Sequence, residues 1–196
     1  MNPLPLDCEA FFQDDFLSTE QADALFDEIV SGFDVTNKRI PMHDGTEFIN
    51  ETGSYLFADR ELTSFDTLPA VWGARSQWTP SLEQVRDRIF SETRTCFQVA
   101  RCVYYRDGSE GMEFHSDPPA YGSTARIASL SLGAEREFVF RKTAAPEEQF
   151  SVRLTSGSLL LMGAGCQETY EHGLPRDDRC REPRLNITFR MYGFDG

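Results

Sequence analysis

From residue 97 onward the chain is a succession of short apolar segments with period-two alternation, closed by turn residues. That pattern leaves few folds open. Candidate strands are 97–105, 112–117, 125–132, 136–142, 149–154, 158–163, 169–174 and 184–192, punctuated by Gly108, Gly111, Gly133, Gly157 and Gly165. Eight short strands with such turn signals imply a sandwich, a barrel or a jelly roll. Residues 143–148 read as an exposed hairpin loop and 175–183 as a charged loop. A chain of 196 residues suits one domain with a full core.

The front of the chain has a different period. Ala22, Leu25, Phe26, Ile29 and Val30 form an apolar stripe at helical spacing, Ser18 with Gln21 fits a capping box, and Gly32 is a stop. A second helix begins at Pro80, with Leu82, Val85 and Ile89 on its buried face and Ser81 with Gln84 as a second cap pattern. Between them, residues 34–80 mix Gly, Pro and aromatics and read as short strands and loops. The resulting division is one domain, with 1–95 as helical support and substrate lid and 96–196 as the β core.

Charge and cysteine usage narrow the function. The net charge is −13 and is uneven: residues 1–95 carry 7 Lys+Arg against 18 Asp+Glu, residues 96–196 carry 12 against 14. A non-specific duplex binder shows the opposite sign. Five dispersed cysteines (Cys8, Cys96, Cys102, Cys166, Cys180) with no CxxC argue against a disulfide framework or a zinc site and for a reducing compartment. No stretch reaches the length of a membrane span. The expectation is a cytoplasmic monomer, nuclear if eukaryotic, with no membrane partner.

Of three histidines, two fall into a chemical pattern. His115 and Asp117 stand two apart in a candidate strand, so both reach the same side. His172, from a distant strand, completes two His and one carboxylate, the facial triad that holds non-haem Fe(II) with open positions. His43, in Met42-His43-Asp44-Gly45, reads as a surface turn. A zinc hydrolase also uses two His and one Asp. What separates the two is Arg184-Leu185-Asn186-Ile187-Thr188-Phe189-Arg190. There, Arg184, Asn186, Thr188 and Arg190 share one face, and two planar forks with an amide between them suit a dicarboxylate such as 2-oxoglutarate. Tyr105 adds a hydroxyl from another core strand.

Together these segments resemble the AlkB family of Fe(II)/2-oxoglutarate dioxygenases. The likeness runs over residues 96–192 and includes Tyr105-Arg106-Asp107-Gly108, Phe114-His115-Ser116-Asp117, Ile127–Gly133, Arg136–Arg141, Gly157–Met162, Gln167, Tyr170-Glu171-His172 and Arg181–Arg190. The resemblance implies a double-stranded β-helix (jelly-roll) core with supporting N-terminal helices. It implies His115, Asp117 and His172 as metal ligands, and Tyr105, Arg184, Asn186 and Arg190 as cosubstrate contacts. It also implies Fe(II), 2-oxoglutarate and O2 as requirements. The implied reaction is oxidative demethylation of N-alkylated bases in single-stranded DNA or RNA, releasing formaldehyde, succinate and CO2. The alternative is the same oxygenase chemistry on a protein side chain or small molecule.

Two departures from the family pattern favour that alternative. Val103 stands where repair-type members have an Asn, removing a hydrogen bond of about 1 kcal/mol net. Pro119 stands where they carry an acidic residue that helps to read a cationic base. The lid supplies Tyr55, Phe57, Trp72 and Trp78 as candidates to stack a flipped base, with Tyr55 and Pro119 as the substrate-site candidates. Asp44, Glu47, Glu51, Asp59, Glu61 and Asp66 in the same segment would repel a phosphate backbone. Arg176, Arg179 and Arg181 lie among Asp177, Asp178 and Glu182 and read as a solvated loop.

Overall fold

The structure is a computed structural model and describes residues 1–42, 44–64, 68 and 73–193; His43, Phe65, Asp66 and Trp72 lie outside them. In chain order, β1 (Asn2–Pro3) and β2 (Ala10–Gln13) precede helix α1 (Thr19–Gly32). β3 (Arg39–Pro41), β4 (Glu47–Ile49), β5 (Gly53–Ala58) and β6 (Ala74–Gln77) lead to α2 (Pro80–Thr93). β7 (Val99–Tyr105), β8 (Met112–His115), β9 (Ile127–Gly133), β10 (Arg136–Lys142), β11 (Ala145–Leu154) and β12 (Leu159–Met162) follow. A one-turn α3 (Cys166–Thr169), β13 (Tyr170–Leu174) and β14 (Arg184–Arg190) complete the order.

The strands form a major sheet in the order β1-β2-β12-β9-β14-β7-β5-β6 and a minor sheet in the order β11-β10-β13-β8, with β3 and β4 paired apart. Neighbours pair antiparallel except β5 with β6. All eight segments anticipated from the alternating pattern are strands. The minor sheet faces the major one, as a jelly roll requires. Two expectations are corrected. Residues 143–148 are not a loop: β11 starts at Ala145 and its long pairing with β10 tightens the hairpin to a turn at Thr143 and Ala144. The second helix is capped by Thr79, whose hydroxyl accepts from the Leu82 amide with Pro80 in the first turn, and not by Ser81. The Ser18–Gln21 capping box of α1 forms as anticipated.

Strand parity sorts the core into two layers. On one face of the major sheet, Ala100, Cys102, Ala128, Leu130, Leu185, Ile187 and Phe189 meet Leu25 and Ile29 of α1 and Leu82, Val85 and Ile89 of α2. On the other face, Ile127, Leu160 and Met162 meet Phe140, Val152 and Leu154 of the minor sheet, plugging one end of the sandwich with hydrocarbon. The front of the chain is more than support: β2 pairs with β12 and β5 with β7, so the major sheet runs across residue 95. Cys8 and Cys166, 158 residues apart in sequence, meet with sulfurs at 2.6 Å and tie the N-terminal segment to α3. No helix among the described residues is long and apolar enough to cross a membrane.

Candidate metal and cosubstrate site

Register places the two histidines. β13 pairs with β8 so that His172 stands directly opposite His115, and their rings meet edge to face at 4.6 Å. On its other side β13 pairs with β10, setting His172 opposite Phe140, while Phe138 stacks on the His172 ring at 5.3 Å. β8 ends at His115, so Asp117 lies just beyond it instead of within a strand. Its amide donates to Gln167 Oε1 at 2.8 Å, which replaces the missing ladder. The ligand atoms of His115, Asp117 and His172 all lie within 4.8 Å of one another.

The surroundings fix which atoms face the centre. The His115 Nδ1–H donates to the Glu113 carbonyl at 2.8 Å; a carbonyl only accepts, so the lone pair is left on Nε2. His172 Nε2 lies 3.6 Å from Asp117 Oδ2. Burial pulls the His172 pKa down to about 4, against the opposing pull of Asp117, so the ring is neutral at physiological pH and able to bind a cation. Arg190 Nη1 donates to Asp117 Oδ1 at 3.0 Å and Nη2 to the Pro118 carbonyl at 2.9 Å. This fork fixes the orientation of the carboxylate. Two imidazoles and one carboxylate, their ligand atoms within 4.8 Å of one another, fit Fe(II).

The triad opens onto a cavity of about 220 Å³ between the sheets, lined by Arg101, Val103, Tyr105, Ser129, Phe138, Asn186 and Arg190 among others. At its far end Arg184 is 2% exposed. Its Nη2 donates to Ser131 Oγ at 3.0 Å and its guanidinium stands 5.5 Å over the Tyr105 ring. Its Nε is buried with no hydrogen-bond partner. Among the described residues it has no ion pair, and burial lowers its pKa to about 10. Arg136, a buried second guanidinium nearby, donates to the Glu110 and Pro175 carbonyls. A buried guanidinium that has no ion pair among the described residues is costly alone, and a bound carboxylate supplies what Arg184 is missing. The residues therefore fit a dicarboxylate that reaches from the iron position to Arg184. Gly133 helps to set this end: its φ of +79° suits glycine, and an added Cβ would meet the Pro183 carbonyl at 2.6 Å, just before Arg184.

These geometries meet an independent comparison. A family model described as "2OG-Fe(II) oxygenase superfamily" matches residues 10–190.

The chain belongs to that superfamily.

This oxygenase-family chain is also similar to "Alpha-ketoglutarate-dependent dioxygenase alkB homolog 3" of Mus musculus, 38% identical over 122 residues, 58% of this chain and 43% of the relative. It is similar to "DNA oxidative demethylase ALKBH2" of Mus musculus, 37% identical over 123 residues, 58% of this chain and 51% of the relative. The chain thus spans about half the length of these curated relatives or less. The solved structure titled "The structure of OsALKBH1" superposes with a TM-score of 0.67 at 17% identity, covering 96% of this chain and all of that one, which supports the jelly-roll fold.

Among the residues singled out from sequence, the triad, Tyr105, Arg184 and Asn186 line the cavity together with Arg190. Two of them also make contacts within the protein. Arg190 already holds Asp117. Asn186 uses its Nδ2 on Ser129 Oγ and the Leu130 carbonyl, bracing β14 against β9. The lid aromatics are corrected. Tyr55, opposite Cys102 in the pairing of β5 with β7, shares its face. It is buried against Phe33 and Phe57 in the helix-side layer, its hydroxyl on Ser76 Oγ at 2.7 Å. Trp78 lies on Phe189 and donates to Asp59 Oδ1. Neither reaches the cavity. Pro119 is exposed, and its neighbour Pro118 is the cavity-lining residue. Arg101, Ser129 and Ser131 were missed; Arg101 was accessible to sequence reasoning, four residues before Tyr105 on the same strand parity.

Proposed function

We propose that this chain is an Fe(II)/2-oxoglutarate-dependent dioxygenase that oxidatively demethylates N-alkylated bases in single-stranded DNA or RNA. One AlkB-like domain over residues 1–196 carries the reaction, with formaldehyde, succinate and CO2 as products. The observation that carries the reading is a single cavity with a His-Asp-His triad at one end and an ion-unpaired buried guanidinium, Arg184, at the other. The name of one mouse relative, a DNA oxidative demethylase, supports the choice of a methylated nucleic acid as substrate, and that of the other supports the 2-oxoglutarate-dependent chemistry.

Each residue then has a task. His115, Asp117 and His172 would hold the iron, whose chemistry when bound is to couple O2 and 2-oxoglutarate to oxidation of a C–H bond. Arg190 keeps Asp117 oriented. Arg184, backed by Tyr105 and Ser131, pairs with the distal carboxylate and so sets the cosubstrate's direction. Phe138 and Phe140 wall the His172 side and exclude water from the reacting centre.

A second reading keeps the oxygenase and moves the substrate to a protein side chain or small molecule. It is favoured by the retreat of Tyr55 into the core, by the exposed Pro119 and by the acidic front of the chain. One assay separates the two. Purified protein with Fe(II), ascorbate and 2-oxoglutarate is followed for succinate, with and without methylated single-stranded oligonucleotides whose mass is read in parallel. Succinate coupled to loss of a methyl group is the expected result. Succinate with untouched oligonucleotides assigns the second reading, and no succinate at all removes both.

A further inference from the structure

The cavity holds more positive charge than its cosubstrate and metal account for. Among the described residues its lining includes three arginines, Arg101, Arg184 and Arg190, and one carboxylate, Asp117. Asp117 is matched by Arg190. A divalent iron and a dianionic cosubstrate offset one another. Two guanidiniums therefore stay in excess once both are bound, and one of them has no place in the reaction described above.

That one is Arg101. It lies on β7 with the parity of Val103 and Tyr105, so its side chain enters the inter-sheet space. Its backbone stands opposite Thr188, four residues from Tyr105 or roughly 13 Å along the strand. The Arg190 guanidinium lies 5.5 Å over the ring of buried Tyr121, and Arg101 is close enough to act on the same phenol. By register the Arg101 backbone stands nearer the Arg190 end of β14 than the Arg184 end, and its guanidinium is close enough to act on both the Tyr121 and the Tyr105 phenols, which places it mid-cavity, between the triad and the dicarboxylate end. Its Nε is buried without a hydrogen-bond partner, and among the described residues no carboxylate pairs with it. A half-buried guanidinium so placed demands an acceptor from whatever enters beside the iron and repels a cation.

We propose that Arg101 is a specificity-determining residue, selecting neutral N-methylated bases that present carbonyl oxygens over cationic ones. The proposal rests on the nucleic-acid reading above. Its chemistry is sharpest for one isosteric pair. 3-Methyluracil and 3-methylcytosine carry the same methyl group on the same ring nitrogen. The first offers a carbonyl at position 4, where the second has an amino group and a positive charge at neutral pH. Arg101 can donate to the carbonyl, while the amino group offers it only N–H and charge repulsion.

The test uses the full chain with Fe(II), ascorbate and 2-oxoglutarate, on single-stranded oligonucleotides identical except for these two bases. Loss of the methyl group is read by mass and succinate is read separately. The unaltered protein should demethylate 3-methyluracil with at least tenfold greater kcat/KM. Arg101→Gln and Arg101→Leu should flatten or invert that ratio with the 2-oxoglutarate KM unchanged, while Arg101→Lys retains the preference. A preference for 3-methylcytosine, or a ratio unmoved in Arg101→Gln protein of unaltered Tm, overturns the proposal. A raised 2-oxoglutarate KM in the variants also overturns it, assigning Arg101 to the cosubstrate. Succinate formation with both oligonucleotides intact is a distinct outcome: the nucleic-acid reading then fails first and takes the proposal with it.

Discussion

The two faces of β14 are made of alternate residues of one segment, and they are in opposite conditions. Leu185, Ile187 and Phe189 are fully buried and pack into the helix-side core. Arg184, Asn186, Thr188 and Arg190 point between the sheets, where Arg184 is almost as buried and, among the described residues, lacks an ionic partner. The helix-side face is complete without a ligand. The cavity-side face is held in an unfavourable state by the stability of the other, which is how a rigid scaffold keeps an unsatisfied charge in place until a carboxylate arrives. The same contrast appears on β7, where Cys102 and Ala100 pack and Arg101 and Tyr105 wait.

This contrast can be broken at several points. The largest effect lies at the triad: His115→Ala or Asp117→Ala should abolish iron-dependent 2-oxoglutarate turnover while the circular dichroism spectrum stays native. Retained turnover would remove the metal assignment. Phe189→Ala attacks the other face and should cost about 3–5 kcal/mol in denaturant unfolding, because Phe97 and Trp78 close around that ring. A loss under 1 kcal/mol would mean that the helix-side layer is not what holds the site.

Third comes pH. Burial depresses the His172 pKa from its ordinary 6.5 to about 4. Below pH 6.5 the unfolded chain takes up a proton there that the folded, metal-free chain refuses. Its stabilisation is therefore present above pH 6.5 and is lost as pH falls toward 4, by about 3 kcal/mol. Denaturant midpoints across this window should show the decline in the metal-free protein and lose that part of it in His172→Leu; equal slopes would contradict the assignment. Fourth, Arg184→Met should raise the 2-oxoglutarate KM about 10–100-fold, the worth of a charged hydrogen bond of roughly 1.5–3 kcal/mol. The ligand-free variant should be no less stable than the parent, since a buried unpaired charge has gone. A destabilised variant with unchanged KM would make Arg184 structural. The smallest effect is expected at Val103→Asn, which adds an amide to the cavity wall and should lower the 2-oxoglutarate KM about fivefold, equivalent to about 1 kcal/mol.

The sequence by itself determined which segments are strands, because a period of two in apolar residues is a local property that any sheet must respect. It also determined the chemical identity of the site. Few residue sets combine His115, Asp117 and His172 with two arginines on one strand face. It did not determine where the lid aromatics point. Tyr55 and Trp78 are amphipathic residues that serve a core or a stacking site equally well, and only the pairing of β5 with β7 assigns Tyr55 to the helix side. Nor did it separate Arg190 from Arg184. Both lie on the same face of β14, yet among the described residues a carboxylate arrives beside one and not the other. Asp117 is brought there from 73 residues away by the meeting of two sheets. Charge balance in a buried cavity is a sum over groups remote in sequence, so only the tertiary structure decides which charges are satisfied and which await a ligand.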